Sequence, residues 1–359
     1  MDVATLVAER SILVACGTGG VGKTTSAAAL ALEGARQGRR ACVVTIDPAK
    51  RLADALGLES LGNTPKRIDG PWPGELWALM LDTKGTFDDL VHRYAATSEQ
   101  AEAILSNRLY RNISGALSGT QEYMAMEKLY ELHNDAKFDL VVVDTPPTRN
   151  ALDFLDAPRR LTSFLDNRIF RVLVMPTRAY LKAVSAATHA FLRSVSRVVG
   201  TEVVGDVIAF FEAFEGMEAG FRDRAQAVRA LLTAPGTSFV LITSPRPDAV
   251  GEAAYLADKL ADAGIDVAVL VVNRLHPRFD AAAPVADAPL SAEDGGALAS
   301  LRRNLAEFRR VAEGEEASFA DLAARLSPAP VIRVPFLPGD VHDLDGLAVI
   351  ADHLLVRHG

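Results

Sequence analysis

Cysteine is almost missing from this sequence. Two occur in 359 residues, Cys16 and Cys42, and nothing after position 42 is a cysteine. So small a number excludes a disulfide framework and a Cys-x-x-Cys metal site. Both thiols sit in apolar runs and read as small buried hydrophobes. An excess of positive charge is lacking too, since 38 Lys and Arg stand against 46 Asp and Glu for a formal net charge of −8. Binding to a nucleic-acid backbone needs a basic face, so no nucleic-acid partner is expected. There is no uninterrupted apolar stretch of about 18 residues, and no N-terminal segment joins a basic region, an apolar region and a cleavage site. The expectation is a soluble, cytoplasmic protein.

What is present is apolar bulk, 49% of the chain, enough for a sizeable core. It is gathered into short runs: "ILVAC" (12–16), "ACVVTI" (41–46), "LWALML" (76–81), "FDLVVVD" (138–144), "SFVLIT" (238–243), "DVAVLVV" (266–272) and "APVIRVP" (329–335). Runs without polar alternation belong to parallel strands covered on both faces, and strand alternating with helix predicts a doubly wound α/β fold. The whole chain, 1–359, reads as one such domain. Residues 85–135 and 155–235 show helical spacing without a convincing strand and are expected to form a helical subdomain at the C-terminal edge of the sheet. Residues 277–300, rich in Ala, Pro, Asp and Gly, suggest a mobile surface loop.

The segment "ACGTGGVGKTT" (15–25) satisfies two phosphate-binding patterns. Gly17, Gly19 and Gly22 spell the G-x-G-x-x-G of a dinucleotide site, whereas Gly17, Gly22, Lys23 and Thr24 spell the G-x-x-x-x-G-K-[ST] of a nucleoside-triphosphate P-loop. A dinucleotide site has no work for an ammonium at this position. In a P-loop the amides of Gly19, Gly20, Val21 and Gly22 wrap the phosphates, with Thr25 following in the same turn. Lys23 reaches the β/γ oxygens, and the Thr24 hydroxyl ligates Mg²⁺. A second element agrees: "FDLVVVD" is an apolar strand ending in Asp144, the form of a Walker-B aspartate that holds the Mg²⁺ shell. The expected cofactors are therefore ATP and Mg²⁺.

"GTGGVGKTT", "TIDPAKRLADALG", "VVVDTPPTRNALDFLDAP", "VVNRLHP" and "VPFLPGDVHDLDGL" follow one another in the order and spacing of the ArsA/GET family of P-loop ATPases. The chain resembles that family from about residue 10 onward, and most of all a bacterial ArsA-like branch that occurs as paralogue pairs. The family comprises arsenical pump-driving ATPases and ATPases that deliver tail-anchored membrane proteins, within the deviant Walker-A group. The resemblance implies an Mg²⁺-dependent ATPase whose dimer closes on ATP and opens on hydrolysis, coupled to a client through the helical region. It implies that Asp47 orients or deprotonates the attacking water, that Asp144 to Thr148 sense the γ-phosphate, and that Pro146 and Pro147 stiffen the link to a lever, "RNALDFLDAP". It further implies that Asn273 meets the adenine edge, that Arg274 stacks beside the base, and that Pro335 and Phe336 close over it. Catalysis would then fall to Lys23, Asp47 and Asp144.

The departures are informative. Family members usually carry a lysine where this chain has Thr18, and that lysine crosses the dimer interface to the partner's phosphates. Three explanations stay open: a heterodimer with a paralogue that supplies the lysine, which is favoured; a homodimer in which Lys50 or Arg51 serves; or a slow switch. The alternative reading of the function is a nucleotide-gated chaperone or scaffold with little intrinsic hydrolysis, active mainly as a heterodimer with a paralogue. Arsenite transport and a zinc-bridged dimer are disfavoured, because both need cysteine ligands that are missing. Six methionines, with only Met175 and Met217 inside 155–235, do not make the adaptable groove of a transmembrane-helix carrier. The aromatic "VIAFFEAFEGMEAGF" reads more readily as a core-facing helix than as a groove lining.

Overall fold

The computed structural model describes residues 2–47, 51–108, 110, 120–135, 138–146, 206, 209–210, 212–214, 216–279 and 296–355. The chain divides into two compact units, one comprising Met1–Met80, Lys137–Ala151 and Pro235–Gly359, the other Leu81–Ala136 and Leu152–Ala234.

The first unit is built on an eight-stranded sheet. Its strands are β1 (Ile12–Gly17), β2 (Arg40–Thr45), β3 (Lys66–Ile68), β4 (Glu75–Met80), β5 (Leu140–Asp144), β6 (Thr237–Thr243), β7 (Val267–Leu275) and β8 (Val331–Pro335). Their spatial order is β3-β4-β2-β5-β1-β6-β7-β8, and every neighbouring pair is parallel except β3 with β4. Seven of these strands coincide with the seven apolar runs. The reason is burial on both faces: β1 and β5 are buried along their whole length, which is possible only between helical layers. The eighth strand, β3, went unforeseen because it is a three-residue edge strand whose Lys66 and Arg67 face solvent.

Among the described residues this unit carries the helices α1 (Val3–Glu9), α2 (Lys23–Arg36), α3 (Arg51–Ala55), α8 (Pro247–Asp262), α9 (Gly296–Arg325) and α10 (Leu344–Leu355). The run Ala27, Ala28, Ala29, Leu30, Ala31, Leu32 on α2 is buried throughout. Small residues let that helix lie close on the sheet; at Gly34 a β-carbon would come within 2.6 Å of Leu140. Of the expected loop 277–300, residues 280–295 lie outside the described residues. Its last five, 296–300, instead open the 30-residue α9, where "GALASLRR" supplies good helix formers.

The second unit contains α4 (Thr83–Tyr94), α5 (Ser98–Ser106), α6 (Thr120–Tyr130) with a π-helical turn at Glu131–Asp135, and α7 (Glu218–Leu232). An aromatic cluster lies in its core: Phe221 packs against Phe87, Tyr94 and Phe214 with ring centroids 5.1–6.2 Å apart. Phe214, Met217 and Phe221 are buried, as a core-facing reading of the phenylalanine-rich stretch requires. A buried ion pair crosses this core, Arg224 Nε to Glu127 Oε1 at 2.7 Å, with the guanidinium 3.7 Å from the Tyr130 ring centroid. Lys50, Thr148, Met175, the segment "RNALDFLDAP" and most of 155–235 fall outside the described residues. Among those described, no helix is long and apolar enough to cross a membrane.

Candidate functional site

Strand β1 runs between β5 and β6, and its C-terminal end opens into the glycine-rich turn. Gly17 has no room for a side chain there, since a β-carbon would meet the Ile242 carbonyl oxygen of β6 at 2.0 Å. The turn ends at Gly22, which caps α2 in the left-handed conformation, φ +92°. No side chain caps this helix and its first turn carries no acidic residue. The N–H groups of that turn are thus left to an anion, and the positive end of the helix dipole adds to their pull.

The charged groups beneath the turn are buried together. Lys23 is 6% exposed, and its ammonium donates to the Thr18 carbonyl oxygen at 2.7 Å. Asp144, at the tip of β5, is 1% exposed. Register places it beside Ala15 of β1 and Thr45 of β2. Its Oδ2 accepts from the hydroxyls of Thr24 at 2.7 Å and Thr45 at 2.8 Å, while its Oδ1 is buried with no hydrogen-bond partner. An orphaned carboxylate oxygen next to a threonine hydroxyl is a donor set that suits a hard divalent cation, and Mg²⁺ fits it. Sequence reading passed over Thr45, which only the register of β2 with β5 sets beside Asp144.

Burial governs the titration of both groups. Desolvation pulls Lys23 below the ordinary lysine value, against the opposing attraction of Asp144. Desolvation likewise pushes Asp144 up, against the hydrogen bonds from Thr24 and Thr45 and the charge of Lys23. The ionised carboxylate is therefore the form the fold disfavours, and its charge reduces stability at every pH above its folded value. Asp144→Asn should accordingly melt higher than the wild type at pH 7, with the gain shrinking as pH falls below the folded pKa and gone below the ordinary carboxylate value, where the unfolded wild-type chain is protonated too. Thermal unfolding across pH checks this, and a lower melting temperature at pH 7 would refute it.

Above these groups opens a cavity of about 710 Å³, lined in part by Gly20, Gly22, Lys23, Thr24, Thr25, Asp47, Arg51, Thr145, Asn273, Arg274, Pro335 and Phe336. Most of the residues expected at the site thus share one space. Gly19 and Val21 line instead a second cavity, of about 490 Å³, on the other side of the turn with Thr18. Asp47 is largely buried, its carboxylate 3.6 Å from the exposed guanidinium of Arg51. Asn273 is buried, and both ends of its amide are engaged: Nδ2 donates to the Val21 carbonyl oxygen at 2.9 Å, and Oδ1 accepts from the Arg274 N–H at 2.9 Å. Phe336 is 58% exposed and is not a core residue; its ring stacks on His276 at 6.1 Å.

Both cysteines are buried, in β1 and β2, with β5 between those strands. Burial holds the Cys16 thiol up at about 12 and raises Cys42 as well, so both are protonated at neutral pH.

The arrangement can bind a polyphosphate with a divalent cation, and comparison with known proteins gives the family. The family model described as anion-transporting ATPase, ArsA type, matches residues 10–288. The chain is 28% identical over 287 residues to ATPase ARSA1 of Chlamydomonas reinhardtii, covering 75% of this chain and 35% of that one. It is 27% identical over 299 residues to an arsenical pump-driving ATPase of Acidiphilium multivorum, covering 81% and 44% respectively. It is 26% identical over 260 residues to ATPase get3 of Aspergillus terreus, covering 72% and 71%. The chain thus spans less than half the length of the first two relatives.

Proposed function

The chain belongs to the ArsA family of anion-transporting ATPases, and from that premise we propose that it binds and hydrolyses ATP with Mg²⁺ in the larger cavity. The observation that carries this reading is the buried trio of Lys23, Thr24 and Asp144 beneath an uncapped helix N-terminus. The amides of Gly19 to Thr25 and the Lys23 ammonium would hold the phosphates, with Asn273, Arg274, Pro335 and Phe336 bounding the base end. Thr24 and Asp144 would hold Mg²⁺, which supplies charge neutralisation at the β- and γ-phosphate oxygens when bound. Asp47, facing the same cavity, would accept the proton of the attacking water. The conformational output would pass from Asp144 through the segment that follows it.

Thr18 favours a heterodimer. Its side chain is short and nearly buried, and its carbonyl oxygen is occupied by the chain's own Lys23. It offers no cation to a partner's phosphates. A paralogue bearing a lysine at this position would complete this chain's site and receive nothing in return. The same observation supports the second reading, a nucleotide-gated scaffold for a client protein with little turnover of its own. Arsenite as cargo finds no support, because both thiols are buried and protonated. Phosphate release from the purified chain, alone and mixed with a lysine-bearing paralogue, tests the proposal. Turnover that rises on mixing is expected; none under either condition would leave the scaffold reading.

A further inference from the structure

We propose that Asn273 and Arg274 are positioning residues for the phosphate loop, clasping its Val21 and Gly20 carbonyls outward so that the N–H groups of the same peptides face the triphosphate. The inference rests on reading the larger cavity as a nucleotide site and deepens it.

The clasp consists of three contacts at the end of β7. The Asn273 amide donates to the Val21 carbonyl oxygen at 2.9 Å, and the Arg274 guanidinium donates to the Gly20 carbonyl oxygen at 3.0 Å. The Arg274 backbone N–H, in turn, donates to Asn273 Oδ1 at 2.9 Å. That third contact fixes which end of the amide faces the loop, because a carbonyl acceptor on one side and an N–H donor on the other allow only one orientation.

Peptide planarity supplies the mechanism. In a trans peptide the C=O and N–H point in opposite directions. Holding the Gly20 carbonyl outward therefore turns the Val21 N–H the other way, and holding the Val21 carbonyl does the same for the Gly22 N–H. Without these anchors two adjacent glycine-flanked peptides could rotate, since Gly20 and Gly22 both occupy the left-handed region that glycine visits freely. Lys23 anchors the Thr18 carbonyl oxygen from inside the same loop, so three of its carbonyls are tied.

Two further features belong to the clasp. Arg274 is the sole non-glycine residue with positive φ among those described, at +64°, and it lies where the pairing of β7 with β8 shifts register. A β-carbon on Gly22 would meet Asn273 Nδ2 at 2.2 Å, so a glycine at position 22 is needed by the clasp as well as by its own φ. The next residue, Leu275, accepts the Phe336 N–H at 2.7 Å, which joins the clasp to the segment bounding the base end.

A role in reading the base and a role in shaping the loop make opposite predictions for a ligand that has no base. The test is calorimetric titration of Mg²⁺-ATP and of Mg²⁺ with inorganic triphosphate into the wild-type chain, Asn273→Ala and Arg274→Gly, with a thermal melt of each. Each variant should weaken ATP and inorganic triphosphate by a similar factor, about 5- to 30-fold for Asn273→Ala, whose lost hydrogen bond is buried, and less for Arg274→Gly, whose hydrogen bond is exposed. Arg274→Gly places glycine where φ is positive and should melt no lower than the wild type, which separates loss of affinity from loss of fold. Loss of ATP affinity with inorganic triphosphate unchanged, or no change in either ligand, would overturn the clasp. Failure of the wild-type chain to bind either ligand would instead overturn the nucleotide reading, and the clasp with it.

Discussion

Lys23→Ala should lose measurable ATP binding. The ammonium is 6% exposed and feels the carboxylates of Asp144 and Asp47 more strongly than the Arg51 guanidinium, so no solvent ion replaces it when a triphosphate arrives. Truncating one partner of a desolvated charge contact costs about 3–5 kcal/mol, on the order of 10²–10⁴-fold in Kd. The free chain should feel the change as well. Lys23 is one of the attractions that oppose the rise in the Asp144 pKa, and without it the buried carboxylate rises further. Titration calorimetry with Mg²⁺-ATP decides the point, and affinity within a few-fold of wild type, a loss under about 1 kcal/mol, would remove Lys23 from the phosphates.

Asp47→Asn should separate binding from turnover. The Asp47 carboxylate faces the cavity, and its contact with Arg51 at 3.6 Å involves an exposed guanidinium that solvent screens, so it is of small energetic value. Replacing it with an amide removes a negative charge from the neighbourhood of the γ-phosphate, so ATP affinity should hold or tighten. The amide cannot take a proton from water. Loss of a general base lowers kcat by about 10²–10⁴-fold. Single-turnover phosphate release beside a binding titration reads both effects, and unchanged turnover would exclude Asp47 as the base. Such a variant would also trap the ATP-bound form, from which a partner or client can be recovered and identified.

The strands of the central sheet were legible because they are buried on both faces, so apolar runs such as "FDLVVVD" have no alternation to confuse them with exposed strands. The edge strand Lys66–Ile68 was illegible for the converse reason, since charged residues on a short exposed edge look like a loop. The site was legible in its parts. Lys23, Thr24 and Asp144 were each marked by a motif. Thr45 was not, because a hydroxyl that orients a carboxylate bears no spacing signature and is recognised only when register sets it beside Asp144.

Local pattern determined the phosphate turn, which lies within one run of the chain, and the order of several such runs along the sequence determined the doubly wound class and the family. Tertiary structure decided what spans long separations. Asn273 stands 252 residues from Val21, and Asp144 stands 120 from Thr24. Only the strand order brings each pair together. Hydrogen bonds act over about 3 Å, and no regularity in sequence encodes which distant backbone oxygen a side chain will meet.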